Sequence, residues 1–209
     1  MFVVIEGMDG VGKTTLIEGL KKILPNDVVY IRDPGGTTIS EELRTIVKKE
    51  EMSDMTSLYL FLAARQDLFD RIVKPALDDG KMVISDRWAW STFIYQGVLG
   101  GLKEHLIKIP NSTIEPDLII HLDLPTNETM LRLSNRTDVS PDRYDSVAIH
   151  LKNLMRKWYL RLAQSSNVVT LDANRPPQLL VRQSNAAIQE VKNKLVELAK
   201  QKQLSNESI

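Results

Sequence analysis

Residues 5–16 read IEGMDGVGKTTL, a glycine-rich turn between an apolar run and the start of a helical pattern. Gly7, Gly12, Lys13 and Thr14 satisfy G-x-x-x-x-G-K-[ST]. The motif follows the β-branched run FVVI at 2–5 and opens a helix, which is the context it requires. Glycines let successive backbone N–H groups curl inward, and the helix N-terminus adds its positive end. In such a cradle Lys13 reaches the β- and γ-phosphates of a nucleoside triphosphate and the Thr14 hydroxyl meets Mg²⁺. Gly10 and Thr15 belong to the same triphosphate site. Asp9 is the odd member, a negative charge inside a loop built for anions. A triphosphate would repel it, so it is expected to point away, toward whatever receives the phosphate.

Four further runs resemble the first: VVYI (28–31), MVIS (82–85), LIIHLDL (118–124) and NVVTL (167–171). They are near-continuously apolar, as strands buried on both faces of a parallel sheet are. Helical patterns lie between them, over Lys13–Leu24, Ser40–Glu50, Met55–Leu77, Thr126–Asn135, Tyr144–Ala163 and Leu179–Lys200. The second is expected to present Leu43, Ile46 and Val47 on one face, and Pro75 to kink the third. Strands alternating with helices predict a doubly wound α/β fold, a five-stranded parallel sheet flanked by helices. One domain is expected over 1–200, with 201–209 a flexible polar tail. The stretch SNRTDVSPDRYD (134–145) is polar and turn-rich, and carries Arg136 and Arg143 between two helices.

Composition removes several function classes. Lys+Arg and Asp+Glu both number 27 in 209 residues, without the basic excess of a nucleic-acid binder. Cysteine is absent, which excludes thiolate metal sites and a cysteine nucleophile. The apolar run MFVVI has no basic lead and is too short for a signal peptide, and no run approaches membrane length, so a cytoplasmic protein without nucleic-acid or membrane partners is expected. A GTPase would offer N-K-x-D, but Asn193-Lys194 is followed by Leu195 and Val196. A motor-type ATPase would show more chain and an apolar strand ending in Asp-Glu.

The third strand run leads into VISDRWAWSTFIYQG, which sets Asp86 and Arg87 at the carboxyl edge of the sheet. Open α/β sheets bind ligands at that edge. There an aspartate can reach the water shell of Mg²⁺, and an arginine can grip a phosphate through two parallel hydrogen bonds. Phe61 and Arg65 lie four apart, hence on one helix face, and together suit a flat base. RDPGGT (32–37) follows the second strand as a tight turn.

In this order and spacing, IEGMDGVGKTT, RDPGGT, FLAAR, ISDRWAWSTFIYQG, PDLIIHLDLP with Arg132 beyond it, DRYD and LDANRPP closely resemble the thymidylate kinases. The resemblance covers nearly the whole chain. It implies transfer of the ATP γ-phosphate to thymidine monophosphate, with Mg²⁺. Phe61 would stack on thymine, and Arg65 would hydrogen-bond its edge. Arg87 would hold the monophosphate, and Asp86 would sit near the metal. Ser91, Thr92 and Tyr95 would line the base and sugar, and Asp9 would accept from the 3′-hydroxyl. Arg32 and Pro34 would flank the acceptor, the peptide before Pro34 being cis. Arg132 would border ATP. No basic residue occupies Met8–Val11, so the resemblance assigns the catalytic charge to a lid, on Arg136 or Arg143. It also implies a homodimer. Departures at Trp88, Trp90 and Phe93 are expected on the wall around sugar and base. They leave open a broader deoxynucleoside-monophosphate kinase. A protein that uses ATP occupancy as a switch is the alternative of another class.

Overall fold

The computed structural model describes residues 1–103, 114–135 and 147–206. Its centre is a five-stranded, wholly parallel sheet in the order β2-β3-β1-β4-β5. The strands are β1 (Phe2–Glu6), β2 (Val29–Arg32), β3 (Val83–Asp86), β4 (Leu118–Asp123) and β5 (Val168–Asp172). The sequence runs fall within a residue or two of these limits. All five residues of β1 are buried, because side chains alternate between two covered faces. Val3 and Ile5 join a core with Leu16, Leu20, Tyr159 and Ile188. Phe2 and Val4 join a second core with Leu68, Val73 and Trp88 on the opposite face. Each such apolar side chain is worth about 1.5–3 kcal/mol when withdrawn from water.

The helices are α1 (Lys13–Lys21), α2 (Thr38–Lys49), α3 (Asp54–Leu68), α4 (Lys74–Asp78), α5 (Ala89–Thr92), α6 (Thr126–Ser134), α7 (Ile149–Leu162) and α8 (Pro177–Asn206). The face expected on α2 is different: Val47 is buried but Ile46 is turned out to solvent. Ser40, Arg44 and Val47 form the inward stripe instead, because α2 covers a polar cavity as well as core. α3 and α4 are one continuous rod joined through a π-helical stretch, Phe69–Val73. Pro75 lacks an N–H and its ring crowds the carbonyl four residues back, so the wider turn just before it relieves the conflict. α5 likewise continues in π-helical form over Phe93–Leu99. α8 extends to Asn206, so the helix takes in residues 201–206 of the expected tail. The expected lid arginines Arg136 and Arg143 lie outside the described residues.

The strands align their carboxyl ends along one edge. Glu6, Arg32, Asp86 and Asp123 end their strands there, with Arg32 opposite Asp86, Ile5 opposite both Asp86 and Ile120, and Glu6 opposite His121. The chain leaves β1 toward β2 and β3 on one side and later builds β4 and β5 on the other. That reversal opens the crevice in which this architecture holds ligands.

Candidate active site

The loop after β1 has Gly7, Gly10 and Gly12 at φ of 146°, 81° and 99°. Two of these positions show why glycine is needed. A Cβ on Gly7 would stand 2.6 Å from the Leu122 carbonyl oxygen, while Gly12 takes the left-handed conformation that starts α1. Lys13 folds back into the loop and donates to the Gly7 and Met8 carbonyls at 3.0 and 2.9 Å. Burial, then the neighbouring charge of Arg87, lowers its ammonium to about 8, although Asp86, Asp9 and Glu6 pull the other way. Thr14 and Thr15 are exposed at the start of α1.

A cavity of about 580 Å³ runs from this loop across the sheet edge to α2 and α3. Its wall includes Asp9, Gly10, Gly12, Lys13, Thr14 and Thr15. Arg32, Pro34, Phe61, Arg65, Asp86, Arg87, Ser91, Thr92, Tyr95 and Arg132 complete the set of expected site residues found there. Among the described residues expected to bind ATP, the acceptor or metal, Gly7 alone is not part of the wall; it contributes a carbonyl behind it.

Arg87 occupies the middle. It is the one non-glycine residue with positive φ among the described residues, at 71°. Its backbone N–H still donates to the Ile5 carbonyl at 3.0 Å, which ties the turn to β1. Its guanidinium donates to the Gly7 carbonyl at 3.1 Å, to Ser91 Oγ at 2.8 Å and to Asp9 Oδ1. Asp9 Oδ2 accepts from the Tyr95 hydroxyl at 2.6 Å. Burial would raise the Asp9 carboxyl, but Arg87 and Lys13 beside it hold it far below the usual carboxylate range. The negative charge in the anion loop is therefore directed at the arginine.

Arg65 is almost wholly buried. Its Nε donates to Asp33 Oδ2 at 2.6 Å, its Nη2 donates to the Trp88 carbonyl at 3.2 Å and to Thr92 Oγ1, and the guanidinium lies over the Trp88 ring. Burial raises the Asp33 carboxyl, partly against Arg65, and Asp33 Oδ1 has no hydrogen-bond partner. The Asp33-Pro34 peptide is cis. Phe61, half-buried on α3, lines the cavity one turn from Arg65.

Arg32 is expected near an acceptor phosphate. Its guanidinium pairs with Glu41 at 2.8 Å, half-exposed at the cavity margin. Arg132 bridges the Val11 carbonyl of the loop at 3.5 Å and the Ala173 carbonyl after β5 at 2.9 Å. Trp90 and Phe93 are not on the cavity wall: Trp90 packs edge-on to His121, and Phe93 to Trp158. Trp88 is buried against Phe2 and Arg65. The expected remodelling of the sugar-and-base wall by these residues is thus corrected, since these side chains face the core.

Five wall residues were not among the expected site residues: Asp33, Arg44, Val47, Lys48 and Gln96. Arg44 donates to the Pro34 carbonyl at 2.9 Å and adds a third guanidinium beside Arg32 and Arg87. The signal was there in the Ser40, Arg44, Val47, Lys48 spacing, a helical stripe that mixes polar and apolar residues. For a metal, hard oxygen donors are the relevant test. Asp86 Oδ1 is buried without a partner, and Thr14 shares its cavity. This pair suits Mg²⁺, which usually takes one or two protein oxygens and completes its shell with water and phosphate.

Comparison with known proteins gives one answer. The family model described as thymidylate kinase matches residues 5–184. A thymidylate kinase of Fervidobacterium nodosum is 36% identical over 183 residues, covering 84% of this chain and 91% of that protein. One of Mycoplasma genitalium is 35% identical over 186 residues, covering 83% and 87%. One of Prosthecochloris aestuarii is 34% identical over 215 residues, covering 94% and 96%.

Proposed function

The chain belongs to the thymidylate kinase family, and from that premise we propose that it transfers the ATP γ-phosphoryl group to dTMP, giving dTDP and ADP, with Mg²⁺. The observation that carries this reading is the continuity of one cavity. A phosphate cradle (Gly10 to Thr15) and an acceptor pocket (Phe61, Arg65, Ser91, Tyr95) share it, with Arg87 bonded to the loop of the first and to Ser91 of the second. A protein that only sensed ATP would need no second pocket.

Phosphoryl transfer asks little covalent chemistry of a protein; alignment and charge do most of the work. The loop N–H groups and Lys13 would take the β- and γ-phosphates, the lysine exchanging two carbonyls for phosphate oxygens. Thr14 and, through water, Asp86 would hold Mg²⁺, which when bound spreads the negative charge of the triphosphate. Arg87 uses three N–H contacts on the protein and keeps others for the acceptor phosphate, with Arg44 and Arg32 adding charge nearby. Phe61 would lie on the base face, and Arg65 would present a guanidinium held rigid by Asp33 and Thr92. The acceptor phosphate is already anionic, so no general base is needed. Asp9 and Tyr95 would border the sugar, with Pro34 closing the acceptor end. The remaining positive charge would come from a lid over 134–145 within a single kinase domain, on Arg136 or Arg143. The family resemblance also supports a homodimer.

A coupled ADP-release assay across dTMP, dUMP, dCMP and dGMP tests the reading. Turnover with dTMP well above the others is expected; comparable rates on several would support the broader kinase. ATP hydrolysis that ignores every monophosphate would sink both. Arg143→Ala is expected to cut kcat about 100-fold while leaving the KM for dTMP nearly unchanged. Unchanged kcat with weakened dTMP binding would remove Arg143 from the chemistry. Lys13 adds a pH signature. In the free enzyme its ammonium is lost as pH rises through about 8, so kcat/KM for ATP should fall there. Bound phosphates favour the ammonium, so the alkaline limb of kcat should lie higher. A kcat/KM profile flat up to the ordinary lysine range, about 10.4, would contradict the assignment.

A further inference from the structure

Glu6 ends β1 and is completely buried, yet the proposed chemistry makes no use of it. A buried carboxylate at the mouth of an anion site is costly, and burial does push its carboxyl upward against the opposing charge of Arg87. Its partners are all donors. Oε1 accepts from the backbone N–H of Trp88 at 2.9 Å and of Ser91 at 3.2 Å. Oε2 accepts from Ser91 Oγ at 2.7 Å and from the Tyr159 hydroxyl at 3.5 Å. Tyr159 is itself fixed by stacking on His121, ring centroids 5.5 Å apart.

The polarity of this network can be worked out. Ser91 Oγ lies 2.8 Å from an Arg87 guanidinium nitrogen, and a guanidinium can only donate. Ser91 must therefore accept from Arg87 and pass its single hydroxyl proton on, and the acceptor is Glu6 Oε2 at 2.7 Å, nearer and more negative than the Tyr159 hydroxyl at 3.2 Å. The direction Arg87 to Ser91 to Glu6 follows. At the same time the two backbone bonds to Oε1 hold residues 88 and 91, which flank the positive-φ turn that carries Arg87.

We propose that Glu6 is a positioning residue for the acceptor phosphate, orienting the Arg87 guanidinium through Ser91 and fixing its turn through the Trp88 and Ser91 N–H groups. The inference rests on the proposed function, in which Arg87 grips that phosphate. Glu6→Gln isolates the side-chain relay. Its carbonyl oxygen keeps both backbone bonds, while its NH₂ group turns a donor toward Ser91, which then faces two donors and keeps only the Tyr159 hydroxyl, at 3.2 Å, as an outlet.

The expected result is a KM for dTMP raised about tenfold, with the KM for ATP within about twofold of wild type and thermal stability nearly retained. Ser91→Ala should act in the same direction, and the loss in E6Q/S91A should fall well short of the product of the two single losses, because both cut one relay. If E6Q does not fold, Glu6→Asp, which keeps the charge but withdraws it from Ser91, enters the same cycle. A dTMP KM unchanged in the folded Glu6 variant overturns the inference. So do independent, multiplying effects of the two substitutions, or equal losses toward both substrates that track the folded fraction. A wild-type enzyme inactive on dTMP would instead remove the functional reading beneath it.

Discussion

Arg87→Ala is expected to lower kcat/KM for dTMP on the order of 10³-fold, the largest single effect outside the phosphate loop. Two losses combine. The acceptor phosphate loses its guanidinium, and Asp9 loses the partner that allows a carboxylate to sit beside phosphates. Freed, Asp9 would repel the incoming acceptor. Arg87→Lys should recover only a small part, because one ammonium on a flexible stem cannot span Asp9, Ser91 and the Gly7 carbonyl together. Steady-state kinetics would separate the contributions, since Asp9→Asn in the Arg87→Ala background removes the repulsion and should restore about tenfold. If the Asp9→Asn change gives no recovery, the unpaired carboxylate is not a cost in that variant, and repulsion by Asp9 forms no part of the loss.

How far the sequence foretold this site depends on the range of the forces involved. The phosphate loop was legible because its chemistry is local: three glycines, a lysine and a threonine within eight residues at the end of a strand. The five strands were legible because burial on both faces leaves continuous apolar runs. Arg44 and Gln96 were not, because only the packed sheet edge shows which stripe of each helix is turned to the cavity. The misreading of Trp90 and Phe93 has the same origin. Trp90, on α5, and Phe93, at the start of the π-helical stretch, pack against His121 and Trp158, partners far away in the sequence that no local spacing reveals. Glu6 was invisible for a different reason. A glutamate inside an apolar run reads as a strand-end residue until the turn after β3 is folded over it.

Arg65→Met is expected to destabilise the fold by about 3–5 kcal/mol and also to abolish tight dTMP binding, and the two effects can be separated. Arg65 and Asp33 are 1% and 2% exposed, so removing the arginine strands an acid whose other oxygen already has no partner. Urea melts should show the loss, and it should shrink as pH falls, because protonating Asp33 removes the stranded charge. The sign follows from Asp33 titrating above its ordinary value: in the window between the two values the native state holds more protons, so stability declines as pH rises. The double variant Asp33→Leu with Arg65→Met replaces the pair with apolar volume and should regain most of the stability. It should not regain the KM for dTMP if, as proposed, a guanidinium reads the base edge, whereas the KM for ATP should stay near wild type. A double variant that is stable but cannot hold dTMP would mean the buried pair is retained for recognition, at some cost to the fold. If that variant still bound dTMP normally, Arg65 would be a packing residue and the base would have to be read elsewhere, with Ser91, Thr92, Tyr95 and Gln96 among the polar groups left on the cavity wall.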